Sequence, residues 1–328
     1  MIHVEKLTKT FKVPIRESGL KSATKAFIRR KYKIVNAVDN ISFDIKEGEI
    51  VGYIGPNGAG KSTTIKMLCG ILKPDSGNII INNMHPYKDR KKYVKNIGVV
   101  FGQRSQLWWD IPVNDSFDLL KDIYSIDEDE YQKTKQELIE LLKIEEIIKM
   151  PVRKLSLGQR MKCEIAASLL HNPKILFLDE PTIGLDASSK EIVRTFIKKI
   201  NKIKKVTVIL TTHDMQDVEA LANRIILIGK GKKLYDGNLA NIKDKFNTYK
   251  IVKIKTNENI DKLINKNVEL IEKNNHNYVF KLNTKKLSLT EFIHKLSKYK
   301  IEDIDVDNEP IDSIMIKLYE EFNIWKSI

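Results

Sequence analysis

Two patterns of hydrophobic and polar positions divide this chain into predicted strands and helices. Short apolar runs, typical of strands, recur early at residues 4–11, 41–45, 50–54, 79–81 and 97–101. Residues 115–150 instead carry apolar side chains at helical spacing, and Pro151 ends this region. Beyond it, helix-like stretches at 159–170 and 188–203 alternate with wholly apolar runs at 175–178, 206–210 and 225–228. Apolar strands that alternate with helices predict an α/β fold whose parallel sheet is covered on both faces.

The chain changes character after about Leu239. Glycine is absent beyond Gly237, and Lys, Asn and Glu become frequent. Strands are predicted at 249–254, 268–271, 278–282 and 301–306, and helices at 289–296 and 310–322. We therefore expect two domains, a main domain over residues 1–239 and a small C-terminal α+β accessory domain over 240–328.

A glycine-rich segment after the strand at 50–54 carries the strongest chemical signal. It matches the pattern G-x-x-x-x-G-K-[ST] through Gly55, Pro56, Asn57, Gly58, Ala59, Gly60, Lys61, Ser62 and Thr63. Glycines let backbone N–H groups turn inward around phosphate oxygens, and a helix N-terminus adds positive dipole charge. Lys61 is expected to reach the β- and γ-phosphates, and the Ser62 hydroxyl to bind Mg²⁺. The flanking strand and helix disfavour the alternative, an ordinary turn, so the segment predicts a nucleoside triphosphate site.

Two carboxylates follow the apolar run at 175–178. A buried strand here would deliver Asp179 and Glu180 to its carboxyl end, beside the phosphates. Asp179 is expected to hold Mg²⁺ through its water shell, and Glu180 to polarise the attacking water as a general base. The other interpretation is that both acids only cap the next helix.

Charge and cysteine content exclude several classes of protein. The chain has 328 residues and a net charge of +14, but much of the excess lies between Lys12 and Lys33, where Glu17 is the only acid. The remaining basicity is diffuse, so a nucleic-acid partner is not expected. Neither a signal peptide nor a membrane-spanning run is recognised, which predicts a soluble protein. Cys69 and Cys163 lie in apolar helical patterns and are expected to be buried and unpaired, as in a reducing cytosol.

Further motifs point to a family. Leu155-Ser156-Leu157-Gly158-Gln159 precedes a helix, while Gly184-Leu185-Asp186 and Thr211-Thr212-His213-Asp214 follow the two carboxylates. Together with the phosphate loop, these motifs resemble the nucleotide-binding domain of ABC ATPases over about residues 1–240. The resemblance implies a P-loop NTPase core with a mixed sheet, an antiparallel β subdomain and a helical subdomain at about 104–172. It also implies an ATPase that converts ATP and water to ADP and phosphate.

The same resemblance implies a dimer that completes each ATP site. In the family, two such domains pair head-to-tail around two ATP molecules. Ser156 and Gly158, with Gln159 beside them, would then meet the γ-phosphate held by the partner's phosphate loop. His213 would contact the γ-phosphate and hold the water in line, and Asp186 would bridge the subunits. The partner would be a second copy of the chain or a homologous ATPase subunit.

Two assignments in the nucleotide site leave alternatives open. Gln103 matches the glutamine that would ligate Mg²⁺ and sense the γ-phosphate, but Gln106 lies close to it. Phe11 matches the aromatic residue on which adenine stacks, although an aromatic side chain here could belong to the core. The chain departs from the family in having Leu157 where glycine is commoner. It also departs in a basic insertion at 12–33, which separates Phe11 from the next predicted strand.

The motif content indicates a particular kind of ABC protein. One set of motifs, without a membrane span or a long heptad array, favours the separate ATP-binding subunit of a membrane transporter. Residues 99–113 and the C-terminal domain resemble drug-exporter ATP-binding subunits, similar to daunorubicin-resistance ATPases, whose permeases are separate proteins. Trp108 and Trp109 would lie beside the groove that receives the permease, or else pack inside the helical subdomain. The resemblance implies ATP-driven dimer closure that powers export of an unidentified substrate from the cytoplasmic face of the cell membrane.

The basic insertion and the direction of transport allow other interpretations. One hypothesis places residues 20–33 against anionic lipid, at about 1 kcal/mol per nearby cation. A solvated basic helix is the other interpretation of this segment. The rival function is a soluble regulatory or ribosome- or RNA-associated ABC ATPase, and import is a weaker alternative within transport.

Overall fold

The computed structural model describes residues 1–14, 32–102, 104–246 and 248–322. The chain forms two compact units, Met1–Gly237 and Asn238–Ile328. Among the described residues, no helix is both long enough and apolar enough to cross a bilayer. Cys69 and Cys163 are buried free thiols, as predicted. Burial raises the pKa of the Cys163 thiol to about 12, which makes it an inert core residue.

The strands of the first unit form two sheets. They are β1 (Ile2–Pro14), β2 (Tyr32–Ile45), β3 (Ile50–Ile54), β4 (Ser76–Ile81), β5 (Ile97–Phe101), β6 (Ile175–Asp179), β7 (Thr207–Thr211), β8 (Arg224–Gly229) and β9 (Lys232–Asn238). The smaller sheet is antiparallel, with strand order β2-β1-β4. The larger has the order β5-β6-β7-β3-β8-β9, and its strands from β5 to β8 in this order pair in parallel. The carboxyl ends of these parallel strands therefore lie at one edge, where ligands bind in such sheets.

Helices of the first unit follow β3, β4, β5, β6 and β7 in sequence. They are α1 (Lys61–Leu68), α2 (Arg90–Tyr93), α3 (Val113–Tyr124), α4 (Glu128–Leu142), α5 (Leu157–Leu169), α6 (Ala187–Lys204) and α7 (Met215–Leu221), with 3₁₀ turns at Val94–Asn96 and Val152–Lys154. Helices α3, α4 and α5 all lie between β5 and β6 in sequence.

The larger sheet is buried on both faces. Along β6, Leu176 and Leu178 pack into a hydrophobic cluster with residues of α3 to α6. Ile175 and Phe177 pack into a second cluster, which includes residues of the antiparallel sheet and α1. Because successive side chains of a strand point to opposite faces, this alternation shows that both faces are covered. The predicted α/β fold is confirmed.

Strand β2 begins earlier than the sequence pattern predicts. The predicted strand covers 41–45, but β2 starts at Tyr32, and Phe11 lies opposite Val35. Residues at both ends of the predicted insertion are therefore strand residues, and 15–31 lie outside the described part of the chain. The prediction is wrong here because β2 begins with mixed polar and apolar residues. Cross-strand pairing with β1, rather than burial, continues the strand. The pattern also misses β9, whose side chains are mostly half-buried.

The second unit is a small α+β fold. Its elements are α8 (Leu239–Phe246), β10 (Tyr249–Thr256), a 3₁₀ turn (Asp261–Leu263), β11 (Val268–Asn274), β12 (Asn277–Asn283), α9 (Leu289–Leu296), β13 (Ile301–Asn308) and α10 (Ile311–Glu321). The antiparallel sheet has the order β11-β12-β10-β13. Phe292 of α9 packs edge-on against Phe280 of β12, with ring centroids 6.0 Å apart. The elements lie where the pattern predicts them, apart from α8 and the 3₁₀ turn, which it misses.

Candidate active site

The phosphate loop joins the end of β3 to the start of α1, at the carboxyl edge of the parallel sheet. Gly60 precedes α1 with a φ of +105°, and a Cβ at this residue would lie 2.2 Å from the backbone oxygen of Ala37. Only glycine fits, because any other side chain would both strain the backbone and clash. The N-terminus of α1 therefore follows the loop directly, and its dipole favours an anion there.

Lys61 is held within the loop that it follows. Its side chain is largely buried, and Nζ donates hydrogen bonds to the backbone oxygens of Gly55, at 2.7 Å, and Pro56, at 3.1 Å. Burial lowers the pKa of Lys61, while the charges of Glu180 and Asp179 act in the opposite direction. The cation is thus fixed beside the loop by neutral carbonyl groups.

Asp179 and Ser62 form an oxygen-rich corner beside the loop. Asp179 ends β6, and its Oδ1 accepts a hydrogen bond from the Ser62 hydroxyl at 3.3 Å. The Thr211 hydroxyl, at the end of β7, donates to the same oxygen. A carboxylate and a hydroxyl are hard oxygen donors, and Mg²⁺ is typically held by one or two carboxylates together with substrate phosphates and water. The residues present therefore fit Mg²⁺, although Thr211 is a neighbour that the sequence pattern did not assign to the site.

Glu180 and His213 meet at the same edge of the sheet. His213 Nδ1 lies 3.3 Å from Glu180 Oε1, and the His213 side chain is 58% exposed. Glu180 has a φ of +56°, which is unusual for a residue other than glycine, and its N–H donates to the Thr211 backbone oxygen at 2.9 Å. Neither acid of the pair caps α6, because Asp186 occupies that position. The alternative capping role of Asp179 and Glu180 is therefore excluded.

The N-terminus of α5 presents the Leu155–Gln159 segment. Ser156 is the exposed N-cap residue: its hydroxyl accepts from the Gln159 N–H, and the Gln159 side chain accepts from the Ser156 N–H. This reciprocal capping box fixes where the helix begins. Leu157, the departure from the family pattern, is partly exposed in the first turn.

Gly158 and Asp186 connect α5 with the start of α6. A Cβ at Gly158 would lie 2.5 Å from the Ser189 hydroxyl, so the two helices approach closely here. Asp186 accepts hydrogen bonds from the N–H and hydroxyl of Ser189, both at 2.8 Å. These bonds lower the pKa of Asp186, which favours its charged form.

Phe11 lies on β1 and is 39% exposed. It does not belong to the core, so the alternative interpretation of this aromatic residue is wrong. The Lys9 ammonium lies 5.8 Å from its ring centroid. An exposed aromatic face is available for stacking, and adenine stacking at Phe11 stays a prediction.

Of the two glutamines after β5 that could serve the nucleotide site, only Gln106 lies in the described part of the chain. Gln103 lies outside the described residues, so its predicted role is untested. Gln106 is bound to α5: its N–H donates to Glu164 Oε2 at 3.1 Å and its side-chain amide to the Glu164 backbone oxygen at 2.8 Å. The Ser105 hydroxyl donates to the same carboxylate. Burial raises the pKa of Glu164, and the Ser105 hydroxyl opposes that shift. Glu164 lies inside an apolar helical pattern, and its partners could not be read from spacing alone.

Trp108 and Trp109 are 40% and 51% exposed. The interpretation that both rings pack inside the helical subdomain is therefore wrong. The backbone N–H of Trp108 donates to the buried Ser116 hydroxyl at 3.2 Å. The guanidinium carbon of Arg160, on α5, lies 5.7 Å from the Trp109 ring centroid. The backbone is thus anchored while the rings face outward.

The phosphate loop, the two carboxylates and the parallel sheet define a P-loop NTPase. Comparisons with known proteins narrow the class. The family model described as ABC transporter matches residues 38–183. The chain is 32% identical over 212 residues to the ABC transporter ATP-binding protein NatA of Bacillus subtilis, covering 65% of this chain and 86% of NatA. It is 35% identical over 210 residues to the linearmycin resistance ATP-binding protein LnrL of the same organism, covering 64% of this chain and 67% of LnrL.

A solved structure shows the same fold. The ATP-binding cassette MJ0796, solved as a dimer in a post-hydrolysis state with ADP and Pi, matches with a TM-score of 0.61 and 28% identity. The match covers 73% of this chain and 99% of that one. This chain belongs to the ABC transporter family. It is an ATP-binding subunit of that family and an ATPase, as the motifs predict.

Proposed function

We propose that the chain powers export through separate permease subunits, by ATP-driven closure of two ATPase subunits. The observation that carries the proposal is that the residues of the ATP site lie in two separate parts of the first unit. The phosphate loop, Asp179 and Glu180 lie at the carboxyl edge of the sheet, whereas Ser156 lies exposed at the N-terminus of α5. A helix N-terminus with an exposed serine hydroxyl suits a phosphate brought by another subunit. Two copies placed head-to-tail would complete two ATP sites, and MJ0796 was solved as a dimer.

Within each ATP site, we assign a separate role to each side chain. Glu180 accepts the proton of the attacking water, and His213, 3.3 Å from Glu180, contacts the γ-phosphate. Lys61 offers a buried cation to the β- and γ-phosphates. Ser62 and Asp179 would hold Mg²⁺, which neutralises charge on the phosphates when bound. Phe11 stacks on adenine, and Gln103 adds a ligand and a sensor of the γ-phosphate.

Trp108 and Trp109 form the contact with the permease. Exposed aromatic side chains on an anchored backbone are typical of interface anchors. The segment that carries them is bound by Ser105 and Gln106 to Glu164 of α5, the helix that begins at Ser156. A movement of the permease against these tryptophans would therefore move α5, and with it Ser156, which meets the partner's ATP.

The direction of transport is inferred from a relative, and the location of the subunit from the residues at both ends of the basic insertion. LnrL is named for linearmycin resistance, which favours export over import. Lys12 and Lys33 lie on the outer parts of β1 and β2, where Tyr32 and Ile34 are also exposed. Cations beside exposed apolar side chains suit an anionic lipid surface, so we place the subunit on the cytoplasmic face of the membrane.

Capture of the tagged chain from detergent-solubilised membranes of its host tests this function. We expect a polytopic membrane protein in stoichiometric amount with the wild type, and severalfold less of it with the Trp109→Ala variant, because the ring anchors the interface. The matched control is Ile203→Ala, which removes an exposed apolar side chain of α6. Both purified variants should still hydrolyse ATP.

Other results of the same capture would contradict the proposal. Recovery of ribosomal proteins and RNA instead of a membrane protein would support the rival, a ribosome-associated ATPase. Equal recovery of the membrane protein with the wild type and Trp109→Ala would exclude the tryptophan contact.

A further inference from the structure

A buried polar cluster near Glu180 joins the turn after β6 to helices α6 and α7. Thr182 follows β6, Arg194 lies on α6 and Asp217 lies on α7. Asp217 is fully buried, and Thr182 nearly so. The Thr182 hydroxyl donates to Asp217 Oδ2, and Arg194 Nε donates to Asp217 Oδ1 at 2.7 Å. Both oxygens of the buried carboxylate are thus bound, one by the turn and one by α6.

Such a cluster is costly to build, which suggests a specific role. A buried ion pair usually adds little net stability, because desolvation offsets the attraction between the charges. In proteins generally, replacing a buried ion pair with well-packed apolar side chains of similar volume is often neutral or stabilising. The position of the cluster, two residues after Glu180, indicates what it does instead.

The turn that carries Glu180 needs to be held. A non-glycine residue at a φ of +56° is strained and persists only where its surroundings fix it. On one side, the Glu180 N–H is bound by the Thr211 backbone oxygen at 2.9 Å. On the other side, the Thr182 side chain is bound by Asp217. The two bonds fix the backbone before and after the Glu180 side chain.

The same elements carry the other functional side chains. Helix α7, which holds Asp217, begins directly after His213, with Asp214 as its N-cap residue. Lys190 of α6 binds Asp214 at 2.5 Å, a second link between α6 and α7. Helix α6 begins at Asp186. The cluster therefore connects the turn of Glu180 with the helix that follows His213 and with the helix that follows Asp186.

We propose that Thr182, Arg194 and Asp217 are positioning residues, which hold Glu180 in its left-handed backbone conformation and set its separation from His213. They act through Glu180 and His213 and do not touch the nucleotide. This inference rests on the proposed role of Glu180 as the general base. Loss of the Thr182 hydroxyl should slow the chemical step and leave ATP binding intact.

The pair Thr182→Val and Thr182→Ser tests the inference. Valine keeps the shape of the side chain without its hydroxyl, and serine keeps the hydroxyl. We expect Thr182→Val to lower kcat by roughly tenfold to 100-fold, with KM for ATP within about twofold, because small misplacements of a catalytic group cost rates of this order. Thr182→Ser should restore kcat to within about threefold of the wild type. The matched control is Thr134→Val, which removes a buried hydroxyl of α4 outside the site.

The outcomes separate this inference from the function on which it rests. A wild-type kcat for Thr182→Val, an equal loss for Thr182→Ser, or a lowered Tm with unchanged kcat would each overturn the positioning role. If Glu180→Gln retained turnover, the proposed base would fail instead. In the Glu180→Gln background, Thr182→Val should cause no further loss of the residual rate, because both changes act on the same step. A further tenfold loss there would show that Thr182 acts elsewhere.

Discussion

Replacing Glu180 with Gln is expected to lower kcat by about 10²- to 10⁴-fold, the usual contribution of a general base. Glutamine has nearly the same shape but cannot accept the proton of the attacking water. ATP binding should be retained, because Lys61 and the phosphate loop are unchanged and Glu180 follows β6 rather than the loop. Steady-state ATPase rates and the Kd for a fluorescent ATP analogue measure the two effects separately.

The control for this variant is Glu191→Gln, which neutralises an exposed acid of α6 that is hydrogen-bonded to Thr195. It should hydrolyse ATP at the wild-type rate. If Glu180→Gln kept more than about a tenth of the wild-type kcat, the assignment of the base would be wrong.

Replacing Lys61 with Met is expected to weaken ATP binding by about 10- to 100-fold, because hydrogen bonds to charged groups contribute about 1.5–3 kcal/mol each. Methionine fills much of the same buried volume but carries no charge. The loop also loses the bonds that Lys61 Nζ donates to Gly55 and Pro56, so part of the effect comes from a less ordered loop. Isothermal titration with ATP measures the change in Kd.

Lys66→Met is the matched control, since Lys66 is the exposed lysine in the last turn of the same helix. It should bind ATP like the wild type. Equal Kd values for Lys61→Met and Lys66→Met would contradict the role of Lys61.

Much of the fold and site could be predicted because the signals are local. The strand at Ile50–Ile54, the loop and the helix from Lys61 follow one another directly, so sequence order alone brings them together. Asp179 and Glu180 come at the end of a wholly apolar strand, and parallel strands share a carboxyl edge. Local order therefore predicts that the phosphate loop and these acids meet.

The rest depends on contacts between segments that are distant in sequence. Neither the Ser105–Glu164 bond nor the Thr182–Asp217 bond has a signature in spacing, because each pair meets only when separate elements pack. Similarly, the exposure of Trp109 depends on how its segment is anchored, and the two backbone bonds from Trp108 to Ser116 and from Arg153 to Trp109 join residues of separate segments. Side-chain partners of this kind appear only in the folded chain.

The central claim is that each ATP site is completed by the Leu155–Gln159 segment of a second copy. Ser156→Asp tests it cleanly, because Asp is as good an N-cap residue as Ser and should keep the start of α5, while its charge repels a phosphate. Ser288→Asp is the matched control, since Ser288 begins α9 with the same type of capping box.

Both changes are placed in the Glu180→Gln background, where hydrolysis does not interfere, and the mass of each protein is measured by sedimentation with ATP and with ADP. With ATP, we predict a dimer for Glu180→Gln and for Glu180→Gln/Ser288→Asp, and a monomer that still binds ATP for Glu180→Gln/Ser156→Asp. With ADP, all three should be monomers. A dimer of Glu180→Gln/Ser156→Asp with ATP, or a Glu180→Gln protein that stays monomeric with ATP, would contradict the account.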